Sequence, residues 1–409
     1  MRWLENESAR SSPTANAYLP AAFTPRVKPT AKRMAAVSPS PTVRLAALVA
    51  EAKARGERII SLSVGEPDFP TPQHIVDAAK RALDDGFTKY THPMGIRELR
   101  EAIAARAESV NGIPATADEV MVSPAKHAVY CAVMALVDDG DEVVLPDPGW
   151  VSYDPMVRLA GGVPVPVRAD ESTGFRLTPE AIAAAVTRRT KAVILNSPSN
   201  PAGSVLPRET VKGIAEVCAD ADLFLISDEI YERLVYDVPH VPPASMPGLF
   251  DRTVTVSGFS KTYSMTGWRL GWLLAEKRLL AEIGKVQEHT LTCCTAFAQK
   301  AGVAALTGPE DELKRMVAEF RARRDLMLAW IKKVGWPCTR PDGAFYAFPQ
   351  TGPEKSADLA LRPLNEASVA VVPGAAFGAA GEHHLRLSYA TSRKLIDEGM
   401  AAIADARTT

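Results

Sequence analysis

Cysteine is scarce in this 409-residue chain: Cys131, Cys218, Cys293, Cys294 and Cys338 are scattered and odd in number. That usage excludes a disulfide framework and predicts free thiols in a reducing, cytoplasmic compartment. No cysteine pair has zinc-ligand spacing, so no metal is expected, and the adjacent Cys293 and Cys294 read as packing. An excess of charge of either sign is missing too. Lys plus Arg number 47 against 48 for Asp plus Glu, which leaves no field suited to nucleic acid or an anionic membrane. Apolar runs of membrane-spanning length are absent. What is present is an ordinary globular composition, 46% hydrophobic and 23% charged. At roughly 150 residues per domain, the length predicts two or three domains.

Residues 1–30 carry Pro13, Pro20, Pro25 and Pro29 among Ser, Thr and Asn, and read as an appendage without regular structure or as an arm on a second subunit. They lack the apolar core of a signal peptide, and Glu5 and Glu7 argue against a transit peptide. From Pro41, Val43, Leu45, Leu48 and Val49 recur at helical spacing. A short strand over 59–63 enters a turn-rich loop, and Thr71 as N-cap with Pro72 at N1 would start a helix reaching Leu83. A second helix is expected over 96–109. After residue 118 strands and helices alternate. Strands are predicted at 120–122, 142–145, 163–167, 192–196, 223–227, 253–256 and 271–274, with a nearly all-apolar, buried helix from Lys126 to Val137. Several of these strands are continuous Val/Ile/Leu runs, the mark of parallel strands covered on both faces, so the class is α/β with an open sheet. Beyond residue 280 the texture changes: a long charged helix over 309–333, short strands near 343–348, 369–374 and 385–389, and a closing helix. The expected division is an appendage (1–30), an N-terminal part of a small domain (31–60), a large domain (61–290) and a second, smaller α+β domain (291–409).

In open α/β sheets ligands sit at the carboxyl ends of strands, and the informative polar residues fall there. Lys261 follows the strand over 253–256 within a loop of small residues, and Arg269 comes eight residues later. Partial desolvation suits such a lysine to act as an amine nucleophile, and the arginine fork suits a phosphate. Asp228 follows the strand over 223–227, Asn196 ends another, and Ser123 to Lys126 lead into the buried helix, whose free N–H groups also suit a phosphate. Singly, each has an ordinary structural reading: Asn196 a turn residue, Asp228 an N-cap, Tyr231 a core aromatic, Arg269 and Arg386 ion-pair partners. Together they supply what pyridoxal 5'-phosphate requires: an amine, a carboxylate for the ring nitrogen, donors for the ring oxygen and a phosphate cradle.

Five stretches, in order, carry a specific resemblance: Gly65-Glu66-Pro67-Asp68-Phe69, Asn196-Ser197-Pro198-Ser199-Asn200-Pro201, Ser227-Asp228-Glu229-Ile230-Tyr231, Ser260-Lys261 with Met265-Thr266-Gly267-Trp268-Arg269-Leu270-Gly271, and Arg386-Leu387-Ser388-Tyr389-Ala390. From about residue 31 to 405 the chain resembles a class I/II aminotransferase, a fold-type I pyridoxal-phosphate enzyme of the aspartate aminotransferase family. The resemblance implies a mostly parallel sheet of the seven-stranded type. It implies that Lys261 binds the cofactor aldehyde and carries the proton at the substrate Cα, that Asp228 pairs with the ring nitrogen, and that Asn196 and Tyr231 bond the ring oxygen. Trp150 would stack on the ring, also facing the substrate. Arg269, Ser260 and the Ala125 to Lys126 backbone would hold the phosphate. Arg386, helped by Gly65 and Asn196, would bind the substrate α-carboxylate, and Lys126 a distal one. Tyr90 would reach the phosphate of a neighbouring subunit, so a homodimer with shared sites is implied. The substrates implied are an L-amino acid, aspartate/glutamate-like or aromatic, and a 2-oxo acid.

Three positions depart from the family pattern. Pro124 stands where a small residue with an N–H is usual, Gly258 where some members have a phosphate-binding serine, and Ser38 where acidic-substrate members carry lysine. The same Lys261, Asp228 and Arg386 also serve elimination, replacement and amino-acid oxidation on this fold, and a non-catalytic regulator is the remaining alternative.

Overall fold

In a computed structural model, residues 30–408 are described; the expected appendage lies, but for residue 30, outside them. The helices are α1 (Pro41–Ala54), α2 (Gln73–Asp84), α3 (Arg97–Asn111), α4 (Ala125–Leu136), α5 (Tyr153–Leu159), α6 (Pro179–Ala185), α7 (Arg208–Asp220), α8 (Phe259–Thr262), α9 (Lys277–Glu288), α10 (Ala296–Thr307), α11 (Asp311–Val334), α12 (Ser356–Ala367) and α13 (Arg393–Thr408). The strands are β1 (Ile60–Ser61), β2 (Val120–Val122), β3 (Glu142–Asp147), β4 (Val163–Arg168), β5 (Thr190–Asn196), β6 (Phe224–Asp228), β7 (Thr253–Gly258), β8 (Gly271–Leu274), β9 (Tyr346–Ala347), β10 (Val369–Ala370), β11 (Val372–Pro373) and β12 (Leu385–Ser388). No described helix is long and apolar enough to cross a membrane.

The central sheet has seven strands in the order β2-β8-β7-β6-β5-β3-β4. Neighbours from β7 through β4 run parallel, and β8 alone is antiparallel to both its neighbours. The unbroken apolar runs follow from two-sided burial. Val143, Ile194, Ile226 and Val256 face α4, α5 and α9, while Val144, Val193 and Leu225 face α6 and α7. Each such side chain contributes about 1.5–3 kcal/mol of burial. The chain leaves β3 toward β4 on one side, then returns across β3 to build β5 through β8 on the other. That reversal opens a crevice at the carboxyl ends of β3 and β5.

A second body holds the C-terminal elements. α11 and α13 pack with β9 and β12 around Phe320, Met327, Phe345 and Leu387, and β11-β12-β9 form a small sheet. β1 pairs in parallel with β10, which ties the N-terminal segment to this body. α10, by contrast, packs on α2 and α3 beside the central sheet.

Two local readings are corrected. Thr71 does not cap α2: Pro72 is the N-cap, and the Thr71 hydroxyl is used at longer range, donating to the Ser264 carbonyl at 2.7 Å and accepting from Trp268 Nε1 at 3.1 Å. Gly258 is a sheet position, not a vacant phosphate ligand. A Cβ there would come within 2.8 Å of the Gly271 Cα on the paired strand, so a serine would force β7 and β8 apart.

Candidate active site

The site is built on the carboxyl edge of the sheet. β6 ends at Asp228 and β5 at Asn196; β7 feeds α8, which carries Ser260 and Lys261; β3 leads to Trp150; β2 leads through Pro124 into α4. Arg386 arrives from β12 in the second body. Every site residue expected from the sequence, Tyr90 excepted, lines one cavity of about 640 Å³. Tyr90 lies outside it and is 89% exposed.

Asp228 is the anchor. Its Oδ2 accepts from the Tyr153 hydroxyl at 2.7 Å and its Oδ1 from the Ile230 N–H at 3.3 Å. Burial raises its carboxyl from an ordinary 3.8 to about 6, against the downward pull of the Tyr153 bond. Behind it, Glu232 pairs with Arg106 at 2.6 Å and Glu229 with His240 at 2.8 Å, a buried network that fixes the turn after β6. Asn196 Nδ2 donates to the Asp228 carbonyl at 2.9 Å and Oδ1 accepts from the Asn200 N–H, so one amide hydrogen is left for a ligand.

Lys261 Nζ donates to the Gly65 carbonyl at 2.6 Å. Burial is the main influence on this amine and lowers it to about 8; Glu66 opposes, and Arg269 and Arg386 add to the fall. Only the neutral amine attacks an aldehyde, and half of Lys261 is neutral near pH 8. Uptake of pyridoxal phosphate by the cofactor-free protein, followed by visible absorbance, is therefore expected to quicken with pH and level off just above 8. A rate still climbing toward 10.5 would reveal an amine of ordinary basicity.

The first turn of α4 leaves the N–H groups of Ala125 and Lys126 without intrahelical acceptors. Pro124, at the N-cap, removes only the donor preceding them. Beside that turn Arg269 has a φ of 54°, a left-handed conformation rare outside glycine, and its Nη1 donates to the Thr266 carbonyl at 3.1 Å. Lys126 Nζ stands 4.8 Å above the Trp150 ring and 3.4 Å from the Ser152 hydroxyl. Burial first and the Arg269 charge second lower its ammonium below the ordinary value. Arg386 is buried, donating to the Ser63 carbonyl at 2.7 Å and to Asn200 Oδ1 at 3.1 Å. Its guanidinium lies over the Tyr346 and Phe377 rings, and among the described residues its Nε has no partner.

Sequence reasoning passed over three of these residues. Tyr153 sits three positions from Trp150, yet nothing in its neighbourhood signals a bond to Asp228. Tyr346 reads as a core aromatic and Asn200 as a turn residue.

A ring nitrogen, a ring oxygen, a phosphate and an aldehyde each find a matching group in this cavity: a buried carboxylate, a spare amide hydrogen, a helix N-terminus with an arginine, and a weakly basic amine. The residues present fit pyridoxal phosphate. A mostly parallel seven-stranded sheet bearing this set on its carboxyl edge defines a fold-type I pyridoxal-phosphate enzyme. The chain belongs to the family described as aminotransferase class I and II, which its residues 57–403 match. It is 41% identical to an aspartate aminotransferase of Geobacillus stearothermophilus over 91% of this chain and 97% of that one. A solved aspartate aminotransferase from Thermus thermophilus with maleate superimposes with a TM-score of 0.90 at 39% identity, covering 93% of this chain and all of that one. An aromatic aminotransferase from Pyrococcus horikoshii does so at 0.84 and 42%, over 88% of this chain and 98% of that one. This is an enzyme, a pyridoxal-phosphate-dependent aminotransferase, and membership favours transfer over the elimination, oxidation and regulatory alternatives.

Proposed function

We propose that the enzyme exchanges an amino group between an acidic L-amino acid, aspartate or glutamate, and a 2-oxo acid, in two half-reactions of a ping-pong cycle. One observation carries the reading: besides Lys261, Lys53 and the Arg269 assigned to the phosphate, the cavity is lined by Arg386 and Lys126, two further cations on separate elements. A dicarboxylic substrate needs one for its α-carboxylate and one for its side chain. The relative named aspartate aminotransferase and the maleate-bound structure point the same way. A second reading, aromatic donors, is favoured by the larger cavity of about 1020 Å³ that adjoins the first and is walled by Pro39, Tyr130 and Met156. Ser38, uncharged, lines this cavity, as does Lys126.

Pyridoxal phosphate supplies an aldehyde for the amino group and a ring that accepts the electron pair released at the substrate Cα. The chain does the rest. Asp228 keeps a proton on the ring nitrogen, and Asn196 and Tyr231 donate to the ring oxygen. Arg269, Ser260 and the N–H groups of Ala125 and Lys126 hold the phosphate, and Trp150 covers the ring and bounds the substrate. Arg386, with Gly65 and Asn196, fixes the α-carboxylate so that the Cα proton faces Lys261 Nζ, which removes and returns it. Tyr90, exposed here, is assigned to the phosphate of a second copy in a homodimer with shared sites. The domain division proposed follows the expected one except that the boundary after residue 290 moves to follow α10, since that helix packs on α2 and α3 beside the central sheet. Five unpaired cysteines support a cytoplasmic setting.

Oxo-acid formation from a panel of amino donors tests the substrate. For Lys126→Ala, kcat/KM for aspartate and glutamate is expected to fall about 10–100-fold, the cost of one charged hydrogen bond, while alanine and phenylalanine change less than about 3-fold. Equal losses for all donors would remove Lys126 from side-chain recognition.

A further inference from the structure

Tyr231 and Tyr346 reach the cavity from different parts of the chain, one from the turn after β6 and the other from the start of β9. Both are almost fully buried, and their hydroxyl oxygens lie 2.9 Å apart. Among the described residues, that contact is the one hydrogen bond found for either hydroxyl. Two hydroxyls bring two protons, and the mutual bond consumes one. The other must be spent on something held in the cavity both residues line.

The surroundings decide which proton is spare. The Tyr346 ring is fixed by the Arg386 guanidinium at 4.4 Å and by Phe345 at 4.7 Å. Its hydroxyl is pressed to within 3.1 Å of where a Cβ on Gly65 would stand, so the loop backbone crowds its other side. Tyr231 belongs to the turn that begins at Asp228. We infer that Tyr346 is a positioning residue: it donates to Tyr231 and so leaves the Tyr231 proton for the ring oxygen of the bound cofactor. This rests on the reading of Tyr231 given above. An O–H that accepts a hydrogen bond becomes a stronger donor, by roughly 10–30%. The same tyrosine lies beneath Arg386, so one side chain braces the carboxylate clamp with its ring and tunes the cofactor with its hydroxyl.

Donors on the ring oxygen favour its deprotonated form, and losing one moves the pH midpoint of the cofactor's colour change upward. The test uses the cofactor-loaded protein without substrate, titrated by visible absorbance, as parent, Tyr346→Phe, Tyr231→Phe and the double variant. Tyr346→Phe is expected to raise the midpoint by roughly half a pH unit and Tyr231→Phe by more. The double variant should match Tyr231→Phe, because Tyr346 acts only through Tyr231. Phenylalanine keeps the ring under Arg386, so the affinity for maleate, an unreactive dicarboxylate, should change less than about 2-fold in Tyr346→Phe, which also reports an intact fold. A Tyr346→Phe midpoint equal to the parent's, or shifts that add in the double variant, would overturn the inference while leaving Tyr231 in its role. An unmoved midpoint in Tyr231→Phe would overturn the assignment of Tyr231 itself.

Discussion

Replacing Lys261 by alanine is expected to lower the transamination rate by at least about 10⁴-fold, the largest effect of any single substitution here. Two contributions vanish together. Proton transfer at Cα by a placed base is worth about 10²–10⁴-fold. The amine that first engages the cofactor aldehyde adds its own share, because exchange between amines is easier than attack on a free aldehyde. The fold should survive: among the described residues Nζ bonds only the Gly65 carbonyl, which borders the cavity and can turn to water. The cofactor should remain bound through Asp228, Arg269 and the α4 N-terminus, with its absorbance changed to that of an aldehyde free of lysine. Single-turnover measurements with aspartate separate the step from binding. A variant that lost its colour yet turned over at the parent rate would remove Lys261 from the chemistry.

How far the sequence reveals this site depends on whether a residue's partners are near it in the chain. β3 and β5 through β7 are legible because strands buried on both faces must be apolar throughout; β3 and β6 are read short at the ends that Asp147 and Asp228 close. Lys261, Asp228 and Asn196 are legible because strand ends are where polar groups have no structural need to be. Tyr153, Tyr346 and Asn200 are not, since their partners stand 75, 115 and 186 positions away and each passes for an ordinary core or turn residue. Gly258 shows the reverse failure. Set beside family members it looks like a missing ligand, and only the closeness of β7 to β8 shows why no side chain fits. Thr71 fails for a related reason: local spacing makes it a cap, whereas Ser264 and Trp268, far along the chain, claim its hydroxyl.

The second large effect is double-edged and concerns Asp228→Asn. In the cofactor-free protein the Asp228 carboxyl titrates near 6, above its ordinary 3.8, because burial penalises the charge more than Tyr153 compensates it. An acid whose folded value is raised stabilises the fold only while protonated. That contribution is complete below 3.8 and is lost as pH rises through about 6, so at neutral pH the ionised group costs roughly 3 kcal/mol. Asparagine keeps the shape and carries no charge. The cofactor-free variant should therefore melt several degrees higher than the parent at pH 7.5, with the gain shrinking to nothing near pH 4. Function moves the other way. A neutral amide cannot hold a proton on the ring nitrogen, so the ring no longer draws electrons from Cα and kcat should drop about 10²–10⁴-fold. Calorimetry of the cofactor-free protein at both pH values, alongside kcat for aspartate, checks the two halves separately. A lower melting temperature at pH 7.5 would mean that the bonds from Tyr153 and Ile230 more than repay the burial of this charge. A kcat within 10-fold of the parent would mean that the ring nitrogen needs no charged partner. If both halves hold, Asp228 is a group the fold carries at a loss, and the cofactor is what balances it.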